Sequence, residues 1–318
     1  MQTGHVAAVS RSDETMIDAS HLHPLAQVFL VPSSVSVIEG KSCLEHLNRI
    51  VSIDALKLPL LGRKDGLICN ANGRILDKAT ICYLGGQALV LGNEGTGNST
   101  RKILSSGIPW DENLLVKDAD EAISHIVLLG KAPARCIAGL GIDPDKIHSE
   151  RWLEFGNSLI SLHWNCDEAI QILVPTGHCE ALMSALVDNG AERLGKHDWS
   201  RVRILSKLLD HHELNSDNLP FELGLEELVA LDKGCYPGQE IHARMESRGA
   251  LARSLVRIRS DGPLPEGKSK IESIGSITVT DSCQNEGFSI ALALIPHSAR
   301  EVGSLVFDNG SVANVESV

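Results

Sequence analysis

Residues 232–240, which read Asp-Lys-Gly-Cys-Tyr-Pro-Gly-Gln-Glu, are the most informative stretch of this 318-residue chain. Two glycines and a proline surround one cysteine there, which predicts a sharply shaped loop. A thiol reacts as its thiolate, which nearby cations favour, and Lys233 and Arg244 are close in sequence. The period of residues 241–245 fits a helix and a strand equally well. The residues alone leave two interpretations of Cys235 open: a reactive thiol, or a buried structural cysteine in a glycine-rich turn.

The composition is that of a globular protein with about two domains. Hydrophobic residues make up 43% of the chain, and the net charge of −12 argues against general DNA or RNA binding. The aromatic content of 3% argues against platforms that stack bases. Eight cysteines without a C-x-x-C pair predict free thiols in a reducing compartment. With no secretory signal and no long apolar run, we expect a cytoplasmic protein that does not span a membrane.

The order of strand and helix patterns predicts two related α/β lobes and a β domain. Alternation near Val35 indicates a strand, and Ser42 and Glu45 have capping-box spacing at the start of a helix over 42–51. A similar order of elements recurs up to a helix over 199–209. After Gly249, short β-type runs without helical period predict a small antiparallel barrel.

The 232–240 loop resembles the signature of YgfZ-type folate-binding proteins. This family includes mitochondrial iron–sulfur assembly relatives and shares a fold with the T-protein of the glycine cleavage system. The signature Lys-Gly-Cys-Tyr-x-Gly-Gln-Glu is matched at residues 233–240. Residues 219–225 are similar to the segment that precedes it, 72–77 to a folate-facing turn and strand, and 248–256 to the entry of a C-terminal barrel.

The resemblance implies an α+β fold in which two ferredoxin-like α/β lobes and a small C-terminal antiparallel β-barrel surround a central channel. The channel would take tetrahydrofolate or a one-carbon derivative. The predicted division is a flexible N-terminal tail over 1–27, a two-lobed folate-binding region over 28–248 and the β-barrel over 249–318. The family resemblance also implies a monomer.

The resemblance further implies that Cys235 is the reactive residue. Its thiolate would ligate iron–sulfur species transiently or form a mixed disulfide. The remaining signature residues would shape the loop and supply donors to it: Lys233, Gly234, Tyr236, Gly238, Gln239, Glu240 and Arg244.

Three further residues are candidates for folate binding. Asp77 would bind near N5 of the folate, or it is a solvated hairpin residue. Glu222 would accept hydrogen bonds from the pterin, as carboxylates suit such edges, or it caps a turn. Arg253 would pair with a folate carboxylate or help close the channel, or it is a solvated strand charge.

The chain departs from the family pattern at several positions. Pro237 stands where Ile or Thr is usual, and proline stiffens a loop. His242 replaces an apolar residue, and it either tunes Cys235 or is simply exposed. Lys78 stands where T-proteins carry a second acid, and the T-protein branch lacks the signature cysteine. These departures argue against an ordinary aminomethyltransferase.

Three functions remain open at this point. The leading one is a folate-binding accessory protein for iron–sulfur cluster assembly or repair, with client enzymes or assembly factors as partners. The second is a one-carbon transferase acting on an amine or tRNA, although the charge argues against tRNA. The third is a folate carrier without chemistry. No resident metal is predicted, because the spacing places no partner ligand near His211-His212-Glu213. A phosphate site is not predicted at Gly92–Gly97 either, because this stretch lacks the lysine of a phosphate-binding loop.

Overall fold

A computed structural model describes residues 26–316 except 165, 273 and 286, and except the side chains of 167, 196 and 197. The predicted tail over 1–27 therefore lies almost entirely outside the described residues. The strands are β1 (Gln27–Leu30), β2 (Ser33–Glu39), β3 (Arg63–Cys69), β4 (Ile75–Tyr83), β5 (Gln87–Asn93), β6 (Leu115–Asp118), β7 (Ile123–Leu129), β8 (Leu153–Phe155), β9 (Ser158–His163), β10 (Cys166–Pro175), β11 (Glu192–Arg193), β12 (Arg253–Ser260), β13 (Gly267–Ile271), β14 (Gly275–Asn285), β15 (Phe288–Pro296), β16 (Ser304–Val306) and β17 (Val312–Glu316). The helices are α1 (Cys43–Ile50), α2 (Gly97–Ser105), α3 (Pro133–Gly139), α4 (Thr176–Asp188), α5 (Lys196–Leu205) and α6 (Gln239–Arg248).

The first lobe is a five-stranded antiparallel sheet in the order β3-β4-β5-β2-β6. Successive side chains of a strand point to opposite faces of the sheet. On one face, Ile38 and Ile81 pack against Leu47 of α1 and Leu104 of α2. On the other face, Val35 and Leu91 pack in one cluster with Leu173 of β10.

The second lobe is a six-stranded sheet in the order β11-β1-β7-β10-β9-β8. Its neighbours are antiparallel apart from the parallel pair β1 and β11. Ile126 and Ile172 pack on one face against Ile137 of α3 and Met183 of α4. Each lobe thus has two helices on one face and a second face turned toward the rest of the molecule.

The C-terminal region is a six-stranded antiparallel sheet in the order β13-β14-β15-β12-β17-β16. A bulge between Val279 and Asp281 bends β14. Within the described residues the edge strands β13 and β16 do not pair with each other, so the predicted barrel is observed as a half-barrel. Leu292 of this sheet packs against Leu67 and Ile75 of the first lobe, which joins the two. A mixed α and β architecture is confirmed, while the ferredoxin-like connections and the ring arrangement stay predictions.

Two local predictions are corrected by the structure. The helix over 42–51 forms as α1, but the capping box is wrong, because Ser42 Oγ donates to the Glu112 carboxylate at 3.1 Å instead of binding α1. The helix expected over 199–209 ends at Leu205. Lys207 takes a left-handed φ of 51°, and Leu208 N–H returns to the carbonyl of Arg203 at 2.8 Å, which closes the helix end.

None of the described helices has the length and apolarity that crossing a membrane requires.

Candidate functional site

A polar cavity lies between the two lobes. Its volume, including the part open to solvent, is about 680 Å³. The inner faces of both sheets, α5 and the segment after α5 supply its walls. The lining residues used below are Lys78, Asn93, His125, Gln171, Trp199, Asp210, His211 and His212.

A second cavity of about 450 Å³ adjoins the first. Four residues line both cavities and mark the junction: Lys78, His163, Gln171 and Leu209. Beyond the junction, Asp65 and Thr80 are polar, and the hydrophobic wall consists of Leu67, Trp164, Leu214, Leu225 and Leu228. The second cavity thus combines a hydrophobic wall with a few polar groups.

Three buried side chains in the polar cavity have atoms without a hydrogen-bond partner in the described structure. They are both terminal atoms of the Asn93 amide, Nε2 of His125 and Oε1 of Gln171. Their exposed fractions are 2%, 4% and 4%. A buried polar atom left unpaired costs about 1–3 kcal/mol. Such a cluster in one cavity indicates a place where a polar ligand supplies the missing partners.

The alternation of strand β4 decides which neighbour faces the cavity. Lys78 points to the inner face, whereas Asp77 lies on the helix-covered face and lines neither cavity. Burial lowers the pKa of Lys78, and the nearby Asp77 charge opposes this shift. The Lys78 ammonium has no hydrogen bond or ion pair within the described part of the chain, which leaves it available to a ligand.

The Asp77 carboxylate is occupied by the chain itself. It accepts hydrogen bonds from the N–H groups of Lys78 at 2.8 Å and Asn93 at 2.9 Å. It also accepts from the hydroxyls of Thr96 at 2.8 Å and Thr100 at 2.5 Å. Burial raises the pKa of Asp77, and these hydrogen bonds counteract the rise. Asp77 therefore positions Asn93 at the cavity, and its direct folate contact stays a prediction.

Glu222 and Arg253 are partners of each other. Two hydrogen bonds join the Glu222 carboxylate to Arg253, at 2.7 and 3.1 Å. Glu222 also accepts from the N–H of Leu219 at 3.1 Å, so it does cap its turn. Neither residue is among those lining the two cavities. The pair ties the turn before the signature loop to the first strand of the half-barrel, and the predicted folate roles remain untested.

Lys233 attaches the signature loop to the first lobe. Its ammonium donates to the carbonyls of Asn48 at 2.7 Å, Val51 at 2.6 Å and Ile53 at 2.7 Å. A cation at a helix C-terminus satisfies carbonyls that lack helical partners. Burial lowers the pKa of Lys233 to about 8. The Lys233 ammonium, which is close to Cys235 in the sequence, therefore binds the C-terminal end of α1.

His242 and Gly238 attach the loop to the turn between β3 and β4. The expectation that His242 is exposed is wrong, since it is fully buried. Its Nε2 donates to the Gly73 carbonyl at 2.8 Å, and Nδ1 then accepts from the Tyr236 hydroxyl at 3.2 Å. Burial lowers the pKa of His242, which favours the neutral ring that this arrangement needs. The period of 241–245 is resolved as helix, because α6 begins directly after Gly238.

Cys235 is exposed at the top of this loop. Gln239 stabilises the loop from within, since its amide donates to the carbonyls of Leu231 and Lys233 at 3.3 and 3.2 Å. Glu240 and Arg244 form an exposed pair on α6 and Gly234 is exposed as well. The interpretation as a buried structural cysteine is therefore wrong. Cys235 is not among the residues lining the two cavities.

We expect Cys235 to dominate thiol chemistry of the native protein. Six other cysteines are buried and Cys283 is half-buried, so titration with a coloured disulfide reagent should show one fast thiol. Cys235→Ser should remove that phase and leave the free energy of unfolding within about 0.5 kcal/mol, as for other surface changes. Cys179→Ser, at a buried site, is the matched control and should keep the fast phase. A fast phase that survives Cys235→Ser would contradict the assignment.

The sequence analysis missed Asn93, His125 and Gln171. Two of them had a readable signal. His125 interrupts the apolar run of β7, and Gln171 interrupts that of β10. A polar residue inside a buried strand needs a partner, which marks it for attention. In the antiparallel register Gln171 lies opposite Val127, two residues from His125, so both face the same cavity.

No family model matches the chain. Its fold is that of a glycine-cleavage aminomethyltransferase. Aminomethyltransferase T from Bartonella henselae matches with a TM-score of 0.78 over 94% of this chain and 87% of that one, at 17% identity. At this identity, the likeness is one of fold.

The sequence relatives come from both branches that the motifs resemble. An aminomethyltransferase of Herpetosiphon aurantiacus is 23% identical over 278 residues, which are 82% of this chain and 76% of that protein. The tRNA-modifying protein YgfZ of Serratia proteamaculans is 25% identical over 264 residues, 80% of this chain and 77% of that one. A putative chloroplastic transferase of Arabidopsis thaliana is 24% identical over 155 residues, 48% of this chain, and this match spans only 36% of the plant protein.

Proposed function

We propose that this protein binds a reduced folate, tetrahydrofolate or a one-carbon derivative, in the two joined cavities. The proposal continues with Cys235 as the reactive thiol of an accessory protein for iron–sulfur cluster assembly or repair. The observation that carries the folate part is the set of unpartnered polar atoms on Asn93, His125 and Gln171. The exposed thiol on a loop held by buried contacts carries the second part.

The residues present fit a folate. The edge of a reduced pterin alternates donors and acceptors, and two amides and an imidazole can complement both kinds. The p-aminobenzoyl portion has a flat aromatic ring, which suits the hydrophobic wall of the second cavity with Trp164 and Leu225. Lys78 at the junction would donate to an acceptor on the ligand.

When bound, the folate would supply one-carbon chemistry that side chains lack. The chain's own groups would orient the ligand and exclude water from it. Asp77 would hold Asn93 in position through its N–H. Cys235 would work at the surface, where a client enzyme or an assembly factor can reach it. The similarity to a YgfZ protein supports the accessory role. We further propose that the protein is cytoplasmic and monomeric.

Gln171→Leu tests the folate part. Leucine removes an unpartnered buried oxygen, so the free protein should keep or gain stability by up to about 1 kcal/mol. Binding of tetrahydrofolate, followed by calorimetry under anaerobic conditions, should weaken by at least about tenfold, the effect of losing one to two kcal/mol. Gln284→Leu changes the same side chain at an exposed position of β14 and is the control, for which affinity should not change. Equal affinities of Gln171→Leu and the wild type would disprove the assigned cavity.

Cys235→Ala tests the iron–sulfur part in cells. In a strain lacking the native protein, activities of iron–sulfur enzymes should remain low when the variant is supplied, although the variant folds and still binds folate. Cys283→Ala, at a half-buried cysteine of the half-barrel, should restore them. Full restoration by Cys235→Ala would eliminate the proposed role of the thiol while leaving folate binding intact.

A one-carbon transferase is the second candidate, favoured by the similarity to aminomethyltransferases. It would need an acid at the ligand, whereas Asp77 faces the helices and Lys78 faces the cavity. Turnover of tetrahydrofolate with an aminomethyl donor that survives Cys235→Ala and is lost in Asp77→Asn would favour it.

A further inference from the structure

The segment after α5 places two histidines and a carboxylate in the wall of the polar cavity. We call residues Asp210, His211 and His212 the histidine wall. One ligand atom from each of the three lies within 4.8 Å of the other two, and all three line the cavity. The rings of His211 and His212 lie side by side, with centroids 4.1 Å apart. The folate proposal uses none of these groups.

The hydrogen bonds of the wall prepare His212 as a ligand. Its Nδ1–H donates to Asp210 Oδ1 at 2.7 Å, so the neutral ring carries its lone pair on Nε2. The other oxygen of Asp210 forms an ion pair with Arg203, whose Nε lies 3.2 Å away. A carboxylate behind one ring nitrogen, itself fixed by a further group, is the usual environment of a metal-binding histidine.

Another histidine lines the same cavity. His125 is 4% exposed, and its Nε2 has no partner in the described structure. Its Nδ1 lies 2.9 Å from Ser33 Oγ, which can accept from Nδ1–H while it donates to the Val31 carbonyl at 3.4 Å. In that tautomer, Nε2 of His125 carries an unused lone pair in the cavity that the histidine wall lines.

We propose that the histidine wall binds a divalent transition-metal ion of the zinc class inside the polar cavity. His211 and His212 supply imidazole ligands, and Asp210 holds His212 in place. His125 lines the same cavity but lies outside this group of three. Imidazole ligands select zinc-class ions over Mg²⁺ and Ca²⁺, which prefer oxygen. Glu213, which the sequence groups with the histidines, takes no part. Arg203 and Thr280 occupy its two oxygens.

Cobalt(II) is the probe, because its visible absorption reports binding directly. Chelator-treated protein carrying Cys235→Ser, which removes the exposed thiol, should bind Co²⁺ saturably. The added pair His211→Asn and His212→Asn should weaken that binding by at least about tenfold. The matched control is the pair His148→Asn and His178→Asn, which are exposed and line neither cavity; it should leave the affinity unchanged.

Absence of saturable binding, or equal affinity in the two paired variants, would overturn the proposal. If the variant with both histidines replaced does not fold, a second measurement on protein with an unchanged histidine wall tests the proposal. Nuclear magnetic resonance of the imidazole nitrogens should show His211 and His212 shifting on addition of Zn²⁺ while His148 and His178 stay in place. The opposite pattern would likewise overturn it. Neither readout depends on folate, so failure here and failure of folate binding are separate results.

Discussion

Gly238→Ala should lower the free energy of unfolding by about 3 kcal/mol or more. Gly238 has φ of 87°, which side-chain-bearing residues rarely adopt. A Cβ atom there would lie 2.5 Å from Gly73 Cα and 2.7 Å from the Asn70 carbonyl oxygen. Both neighbours are backbone, so the turn and the start of α6 must separate. Strain of this kind costs about 1–3 kcal/mol and overpacking about as much again.

The control for this prediction is Gly177→Ala. Gly177 is in α4, has ordinary helical geometry, and its added Cβ would meet nothing within 4 Å. Alanine favours helix by about 1 kcal/mol, so this variant should be neutral or more stable. Urea unfolding of both variants gives the comparison. Because separation of the loop also frees Cys235, the Gly238 variant should change the rate of its reaction with a disulfide reagent. Equal stability of the two variants would refute the close approach at Gly238.

Arg203→Met should cost about 3–5 kcal/mol, the range for removing one member of a buried ion cluster. Arg203 is fully buried. It pairs with Asp210 at 3.2 Å, Glu213 at 2.9 Å and Asp281 at 2.5 Å. Burial raises the pKa of Glu213, and the Arg203 charge opposes the rise. For Asp210, burial also acts upward, yet the His212 hydrogen bond and Arg203 hold its pKa well below the ordinary range. Methionine fills the space and leaves three acids without their cation.

The loss of stability in Arg203→Met should depend on pH. Burial already raises the pKa of Glu213, and without Arg203 the charge that opposes this rise is gone. A carboxyl whose folded-state pKa lies above its unfolded value favours unfolding at neutral pH, and the penalty disappears as pH falls below the unfolded pKa of about 4. The stability deficit against the wild type should therefore be largest near about pH 7 and shrink toward about pH 4.5. Arg193→Met breaks an exposed pair with Glu180 and should leave stability almost unchanged, because solvent screens such pairs. A deficit that grows on acidification would contradict the charge assignment.

These two sites explain how the C-terminal half of the chain is held to the lobes. Gly238, Lys233 and His242 join the signature loop to the first lobe through backbone contacts. Arg203 joins α5 of the second lobe to β14 of the half-barrel. The sequence showed that residues 232–240 are unusual, and the family resemblance assigned Cys235 to chemistry and the other signature residues to shaping the loop. In the structure, Lys233, Gly238 and Gln239 hold the loop, whereas Cys235 is exposed.

Local rules that depend on neighbouring residues predicted most of the elements. Alternation at Val35 predicted β2, helical spacing predicted α1, and the β-type runs after Gly249 predicted an antiparallel sheet. Rules that assumed a particular partner failed more often. Ser42 donates its hydrogen bond to Glu112, 70 positions away, instead of capping its own helix. His242 is buried and donates a hydrogen bond to the carbonyl of Gly73, 169 positions away. A side chain's partner depends on which surfaces meet, and spacing along one segment carries no information about that.

The amino-acid order alone established the mixed α and β class, the antiparallel C-terminal region and the importance of the Cys235 loop, because each follows from contacts between near neighbours. Folding in three dimensions decided the rest. It turned Lys78 toward the cavity and Asp77 toward the helices, paired Glu222 with Arg253, and collected Asn93, His125 and Gln171 from three strands around one space. These outcomes depend on the face that each strand presents and on the packing of distant surfaces, and both are set only when the sheets meet.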